Sequence, residues 1–317
     1  MGIILVTGGA GFIGSHVCDK LLLDGHKVIC VDNFNDYYNP KWKRQNIKHN
    51  LKNKNFSLYK VDTANYNKLK KIFEIHRVDK IIHLAASAGV RFSLKNPFIY
   101  VQTNIKGTLN LLELARLFKI KNFVFGSSSS VYGANKKIPF SETDFVENQF
   151  SPYASTKRMG EVLCKNYHNM YNLNIVCLRF FTVYGPRGRP DMAPYKFTHR
   201  ICNGIPIDMY GDGSSARDYT YVGDIVAGIV ATMNKELGFE IINLGDSRPI
   251  KLKQFISIIE EAVGKKAIIH QKKMPPEDVP ITYADIKKAK KLLDYNPKIK
   301  IEEGIQKFVE WYKNERY

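Results

Sequence analysis

No apolar run in the 317 residues approaches the ~18 that suggest a membrane span, so no membrane-spanning helix is expected. Cysteine is scarce: Cys18, Cys30, Cys164, Cys177 and Cys202 are odd in number and form no CxxC pair. That excludes a disulfide scaffold and a cysteine-based zinc module, and it points to reduced thiols in a cytoplasmic protein. No metal ligand set is assigned. The segment Met1–Thr7 lacks the basic flank and cleavage site of a signal peptide, and Val6 stands where a myristoylation signal needs Ser or Thr. Acidic residues are the minority, 30 against 48 Lys and Arg, for a net charge of +18. Without an RNA-binding signature or a basic helix interleaved with aromatics, nucleic acid is not an expected partner. The excess is a solvated lysine-rich surface or a field that steers an anionic ligand.

What is present is an alternation of short apolar runs and helical patterns. Strands are expected at Ile3–Thr7, Val28–Val31, Phe56–Lys60, Lys80–Leu84, Phe123–Phe125, Ile175–Phe180 and Glu240–Leu244. Helices are expected at Ser15–Asp24, Tyr66–His76, Asn104–Phe118, Ser155–Tyr171 and Asp224–Met233. Such alternation predicts a doubly wound α/β fold, a parallel Rossmann-like sheet covered on both faces. The remainder, mostly helical from Leu252 onward, predicts a smaller, mixed, mainly helical domain over the ligand-binding edge. Residues 1–180 plus 222–249 would form the cofactor-binding domain, and residues 181–221 plus 250–317 the substrate domain.

Between the first strand and first helix runs Thr7-Gly8-Gly9-Ala10-Gly11-Phe12-Ile13-Gly14. Glycine permits positive φ and a close approach to a pyrophosphate, and the following helix offers unpaired N–H groups and a positive dipole end. In this strand–loop–helix setting the pattern predicts dinucleotide binding by Gly8, Gly11, Phe12, Ile13 and Gly14. Asp32 ends the second strand, 18 residues after Gly14, where a carboxylate accepts from the adenosine ribose. It would repel a 2′-phosphate, so NAD is expected rather than NADP. Asn33 and Asn35 are supporting candidates. Asp62 either reaches the adenine amine or caps a helix.

Tyr153-Ala154-Ser155-Thr156-Lys157 places a tyrosine and a lysine on one helix face. A nearby ammonium favours the phenolate and suits the tyrosine to general-base work. The spacing also occurs at Tyr37/Lys41, Tyr66/Lys70, Tyr132/Lys136 and Tyr283/Lys287. Context selects Tyr153, because it opens a helix after a strand that ends in Ser127-Ser128-Ser129-Ser130.

The segments TGGAGFIGS, HLAA (His83–Ala86), SSSSVYG and YASTK together resemble the extended short-chain dehydrogenase/reductases across essentially the whole chain. The resemblance implies Tyr153 as base, Ser128 as the catalytic hydroxyl, and Lys157 as the residue that holds the nicotinamide ribose and tunes Tyr153. It also implies that Leu84, Ala85 and Ala86 line the cofactor and that a homodimer forms through a four-helix bundle.

Within that family, dehydratases and decarboxylases carry carboxylates just before the Val-Tyr-Gly; here Ser129 and Ser130 precede Val131. Without a carboxylate to assist elimination, hydride return to the same carbon is expected, which is epimerisation. Asp32–Tyr38, Ala88–Arg91 and Phe181–Met192 resemble the UDP-glucuronate 4-epimerases. The resemblance implies interconversion of UDP-glucuronate and UDP-galacturonate through a 4-keto intermediate. Ser87, Gly89, Ser129, Ser130 and Thr182 would surround the sugar and its carboxylate. Arg91 and Arg189 would supply charge, and Arg217 would fork to the diphosphate. Glu277 departs from the family's glycine near the diphosphate, so its carboxylate should point away. A UDP-glucose/UDP-galactose or N-acetylated-sugar epimerase, a dehydratase or decarboxylase, and a non-catalytic NAD-binding regulator stand as alternatives.

Overall fold

The computed structural model describes residues 1–274 and 279–315. Strand β1 (Ile3–Thr7) leads through the glycine loop into helix α1 (Phe12–Leu23) and strand β2 (Lys27–Asp32). Helix α2 (Pro40–Ile47), strand β3 (Phe56–Lys60), helix α3 (Tyr66–Ile75) and strand β4 (Lys80–His83) follow. Short helices α4 (Val90–Lys95) and α5 (Pro97–Tyr100) run into a wider π-type stretch, Val101–Lys106, and then α6 (Gly107–Leu117). Strand β5 (Asn122–Ser128), helix α7 (Pro152–Tyr171), and strands β6 (Asn174–Phe180) and β7 (Thr182–Tyr184) come next. The chain continues through α8 (Ala193–Cys202), β8 (Ile207–Tyr210), β9 (Ala216–Tyr221), α9 (Val222–Thr232) and β10 (Phe239–Leu244). It ends with β11 (Pro249–Lys251), α10 (Leu252–Val263), β12 (Ile269–Lys272), β13 (Ile281–Thr282), α11 (Lys287–Leu293) and α12 (Ile301–Glu315).

Seven strands form one parallel sheet in the order β10-β6-β5-β4-β1-β2-β3. Alternate residues feed opposite faces, as strand geometry requires. Ile4, Val6, Val28, Cys30 and Ile82 join one apolar cluster, and Leu5, Ile29, Val31 and Ile81 the other. Fully burying each Val, Leu or Ile contributes about 1.5–3 kcal/mol, which is why these strands read as continuous apolar runs. The chain order reverses between β1 and β4, and the crevice beyond their C-terminal ends is where such folds bind ligands.

A third cluster, containing Tyr184, Tyr219, Phe255, Ile259, Ile305 and Phe308, sits under the smaller sheets. There β9 pairs with β7, β11 and β13, while β8 pairs with β12. This region holds more strand than its helical reading anticipates. All four residues of β12 are exposed, so its pattern carries no alternation. Helix α7 also begins earlier than expected. Ser151 caps it by accepting from the Ala154 N–H at 3.2 Å, and Pro152 takes the first turn, where a missing N–H costs nothing. Tyr153 therefore sits in the first helical turn, directly beside the end of β5.

Candidate active site

One cleft at the β1/β4 switch point gathers the glycine loop, the end of β2, the Leu84–Ala88 segment and the face of α7 that bears Tyr153 and Lys157. Gly8 holds φ at 67°, and its N–H donates to the Val31 carbonyl at 2.8 Å. A Cβ at Gly8 would stand 2.8 Å from the Ala85 nitrogen, and one at Gly14 would run into the Gly8 carbonyl oxygen. Backbone meets backbone in both cases, so no side chain can be fitted. Gly11 caps α1 without a side-chain bond, and no acidic residue stands in the first turn. The uncapped N–H groups thus remain available to an anion.

The Asp32 carboxylate forms the far wall. It accepts from the Ala10 N–H at 3.1 Å and the Phe34 N–H at 2.8 Å, one bond per oxygen. Each oxygen therefore keeps a lone pair for a further donor. Burial pushes its pKa upward, against these bonds and nearby Lys43. Lys43 is a cleft residue that the sequence reading missed. Its ammonium donates to the Asn35 carbonyl at 2.9 Å and to Asn35 Oδ1 at 2.8 Å. Asn33 and Asn35 both line the cleft. Asp62 does not; it accepts from Asn33 at 3.0 Å and from the Ala64 N–H at 2.8 Å, an orienting and turn-capping role.

At the other end, the Ser128 hydroxyl donates to Ser130 Oγ at 3.2 Å and accepts from the Ser130 N–H at 3.1 Å, beside Tyr153. Burial pushes the Tyr153 phenol up, and the neighbouring Ser128 hydroxyl opposes that shift. Lys157 is buried and donates to the Gly126 carbonyl at 2.6 Å, leaving two N–H groups toward the cleft. Desolvation pushes it down to about 8, against the pull of Glu161 one turn further along α7. The competing tyrosines have other duties. Tyr132 is fully packed and donates to Asn243 Oδ1 at 2.7 Å, while Tyr37 donates to Asp191 Oδ2 at 3.1 Å. His83, in the HLAA segment, is buried between the Thr7 and Thr108 hydroxyls at 2.7 and 3.0 Å, and burial drives it down to about 3. It is a neutral post between strands rather than a proton carrier.

The expected sugar-side residues divide. Ser87 and Arg189 line the cleft, and Ser87 is fixed by Asn104 Oδ1, which accepts its N–H at 2.8 Å. Arg189 does not point a free charge at the cleft; Asp191 holds its Nε at 2.9 Å and Nη2 at 2.5 Å. Gly89, Ser129, Ser130 and Thr182 stand behind the lining, the two serines in the short turn after β5 and Thr182 on β7. Exposed Arg91 reaches toward the small sheets, its guanidinium 5.3 Å over the Tyr210 ring. Arg217 donates to the carbonyls of Ala216 at 2.9 Å and Pro280 at 3.3 Å, away from the cleft. Glu277, with Pro276 and Asp278, lies outside the described residues.

Behind Ser128, Tyr153 and Lys157 is a fully buried ion pair. Arg179 on β6 donates to Glu161 from Nε at 2.8 Å and Nη2 at 2.9 Å, and the Ser127 hydroxyl donates to Glu161 at 2.7 Å. Ser127 lies between Gly126, which holds Lys157, and Ser128. Among the described residues there is no His/Cys/Asp/Glu cluster that could hold a metal, and no helix is long and apolar enough to cross a membrane.

A doubly wound sheet whose glycine loop shares one cleft with a helical Tyr–Lys pair and a strand-end serine is the arrangement of an extended short-chain dehydrogenase/reductase. The family model described as GDP-mannose 4,6 dehydratase matches residues 5–308, and the chain belongs to that family. The chain is 48% identical over 314 residues to UDP-glucuronate 4-epimerase of Thermodesulfobacterium geofontis, with 99% of this chain and 97% of that protein covered. The crystal structure of UDP-glucuronic acid 4-epimerase from Bacillus cereus, in complex with UDP-glucuronic acid and NAD, superposes with a TM-score of 0.92 at 38% identity, covering 98% of this chain and 99% of that one. UDP-glucose 4-epimerase of Thermotoga maritima, solved with UDP-glucose, superposes with a TM-score of 0.90 at 34% identity, covering 98% and 99%.

Proposed function

We propose that this protein is an NAD-dependent 4-epimerase that interconverts UDP-glucuronate and UDP-galacturonate, acting in the cytoplasm as a homodimer. The observation that carries the reading is the Tyr153–Lys157 pair lining the end of the dinucleotide cleft, with Ser128 beside Tyr153 and serines rather than carboxylates at positions 129 and 130. The relatives named as UDP-glucuronate 4-epimerases, one of them solved with that sugar and NAD, support it.

The residues fit NAD. The glycine cradle and the uncapped start of α1 suit a pyrophosphate, Asp32 has lone pairs for ribose hydroxyls, and Lys157 has two N–H groups for the second ribose. Bound NAD supplies the hydride acceptor, and afterwards the donor, at carbon 4 of the sugar. The protein's share is proton handling and placement. Tyr153 takes the proton from the 4-hydroxyl, and Ser128 shares a hydrogen bond with the same oxygen. The Lys157 ammonium, one helical turn on, favours the phenolate. When the 4-keto sugar has turned its other face to the cofactor, Tyr153 returns the proton to the 4-oxygen, and the hydroxyl at carbon 4 is left inverted. Ser129 and Ser130 put no carboxylate at the two positions before Val131, so the acid and base that elimination of water would use there are missing.

Oxidation at carbon 4 makes glucuronate a β-keto acid, which loses CO₂ when its carboxylate bond aligns with the carbonyl π system. Thr182, the Ser87–Gly89 loop and the serine turn are the groups assigned to hold that carboxylate out of alignment. Residues 1–180 plus 222–249 carry the cofactor in this reading, and residues 181–221 plus 250–317 carry the nucleotide sugar. The dimer reading is supported by apolar side chains left exposed on α7, Met159 at 50% and Val162 at 53%, and on the helical segments beside it, Phe98 at 80% and Val101 at 51%. The likeness to the Thermotoga maritima enzyme favours a UDP-glucose/UDP-galactose epimerase as the second reading. NMR of the pure protein with a panel of UDP-sugars separates the two. Turnover of UDP-glucose without UDP-glucuronate would move the assignment to the second.

A further inference from the structure

Arg189, Asp191 and Tyr37 form a cluster at the sugar end of the cleft that the steps above do not use. Asp191 occupies both the Nε and the Nη2 of Arg189. Tyr37, from the connection between β2 and α2, donates to Asp191 Oδ2 at 3.1 Å, and Arg189 Cζ stands 5.6 Å over its ring. Gly89, at φ 99°, makes room for this tie: a Cβ there would stand 2.6 Å from the Tyr37 hydroxyl. Two loops far apart in sequence are thereby joined across the cleft mouth. Arg189 holds the Asp191 carboxyl below its usual range. On Tyr153 the two charges act in opposite senses, Arg189 lowering and Asp191 raising its pKa. The other polar groups near Tyr153 are the Ser128 hydroxyl from β5, Lys157 on its own helix, and Tyr100, whose ring meets it edge-on at 6.1 Å and whose hydroxyl is bonded to the Ala88 and Gly89 carbonyls.

We propose that Asp191 is a positioning residue that stands in for the substrate's carboxylate: tied by Tyr37, it keeps Arg189 as a balanced pair beside the base until an acidic sugar takes its place at the guanidinium. The exchange of partners rests on the UDP-glucuronate reading; the balancing of Arg189 does not. An arginine fork accepts one carboxylate in bidentate fashion, so sugar and Asp191 compete for the same edge.

The test uses Asp191→Asn, Arg189→Gln, the double variant and Tyr37→Phe, with NAD content and melting temperature checked for each. Activity rises with pH as Tyr153 ionises. Removing Asp191 leaves Arg189 uncompensated, so the acid limb of kcat/KM should move down by on the order of one pH unit. Arg189→Gln should move it up, and the double variant should return it. Asp191→Asn should also lower KM for UDP-glucuronate several-fold and leave KM for UDP-glucose unchanged. Tyr37→Phe, with no change in charge, should lower KM for UDP-glucuronate to a smaller extent. Limbs that stay put, or that move the same way in both single variants, overturn the balancing role. Mirrored limbs with equal KM changes for the two sugars overturn the exchange. If the wild type turns over only a neutral UDP-sugar, the function reading has failed, and the limbs measured on that sugar still decide the balancing role.

Discussion

Replacing Glu161 with Gln keeps the shape of the buried network and removes its charge. Glu161 is fully buried and accepts from Ser127 at 2.7 Å, from Arg179 at 2.8 and 2.9 Å, and from Arg158 at 3.2 Å. Arg179 is 1% exposed, its Nη1 has no hydrogen-bond partner, and its guanidinium lies 4.7 Å over the Tyr132 ring. With the carboxylate gone, nothing in this pocket compensates its charge. Stranding one member of a buried pair costs about 3–5 kcal/mol, which should lower the melting temperature of a chain this long by roughly 5–8 °C. A second effect is separable. Glu161 raises the Lys157 pKa, which burial has lowered to about 8. The ammonium is present below that pKa and lost as pH rises through it. Glu161→Gln should therefore move the alkaline limb of activity to lower pH. Adding Arg179→Met removes the stranded charge and should restore most of the stability, because a buried pair replaced by apolar groups is often neutral. The alkaline limb should stay shifted, since Lys157 still lacks its carboxylate. Denaturant titrations and pH–rate profiles of the three proteins make the comparison. A Glu161→Gln protein within about 1 kcal/mol of wild type, with an unmoved alkaline limb, would refute both parts of the reasoning.

Tyr153→Phe should lower kcat by about 10²–10⁴-fold with UDP binding by calorimetry nearly intact, whereas Tyr132→Phe should keep its activity; the reverse pattern would mean that the base has been misassigned. Gly14→Ala drives a Cβ into the Gly8 carbonyl, and such overpacking costs about 1–3 kcal/mol. The purified variant, denatured and assayed, should release far less NAD than wild type, and equal release would count against the glycine cradle. Thr182→Ala should weaken the kcat/KM preference for UDP-glucuronate over UDP-glucose by roughly 1.5–3 kcal/mol and release some decarboxylated 4-keto pentose visible by NMR. An unchanged ratio with no new product removes Thr182 from the site.

The cofactor half of the cleft was legible because its determinants are local. Three glycines, a strand before and a helix after lie within a dozen residues, and Asp32 follows at the end of the next strand. The sheet was legible because its strands are buried on both faces and read as unbroken apolar runs. Tyr153 needed more. Its spacing with Lys157 recurs four times in the chain, and only its place after a strand-end serine cluster set it apart. The start of α7 was missed by three residues because a Ser-Pro pair reads equally well as the end of a loop. The Glu161–Arg179 pair left no trace in sequence: its members are 18 residues apart, on a helix and a strand, and only the packing of α7 on the sheet brings them together. Arg189 was expected to offer free charge, yet its counter-ion stands two residues on, and Tyr37, which fixes that counter-ion, comes from a loop 154 residues earlier. The short strands β8, β9 and β12 take their partners from remote segments, so no local pattern announces them.

The most direct measurement is a time course by NMR of the purified protein with UDP-glucuronate in D₂O and no added cofactor. UDP-galacturonate should accumulate with protium retained at carbon 4, because the hydride leaves and returns on a cofactor that never departs. No conversion of UDP-glucuronate, or deuterium at carbon 4 of the product, would contradict the proposed closed redox cycle on this sugar.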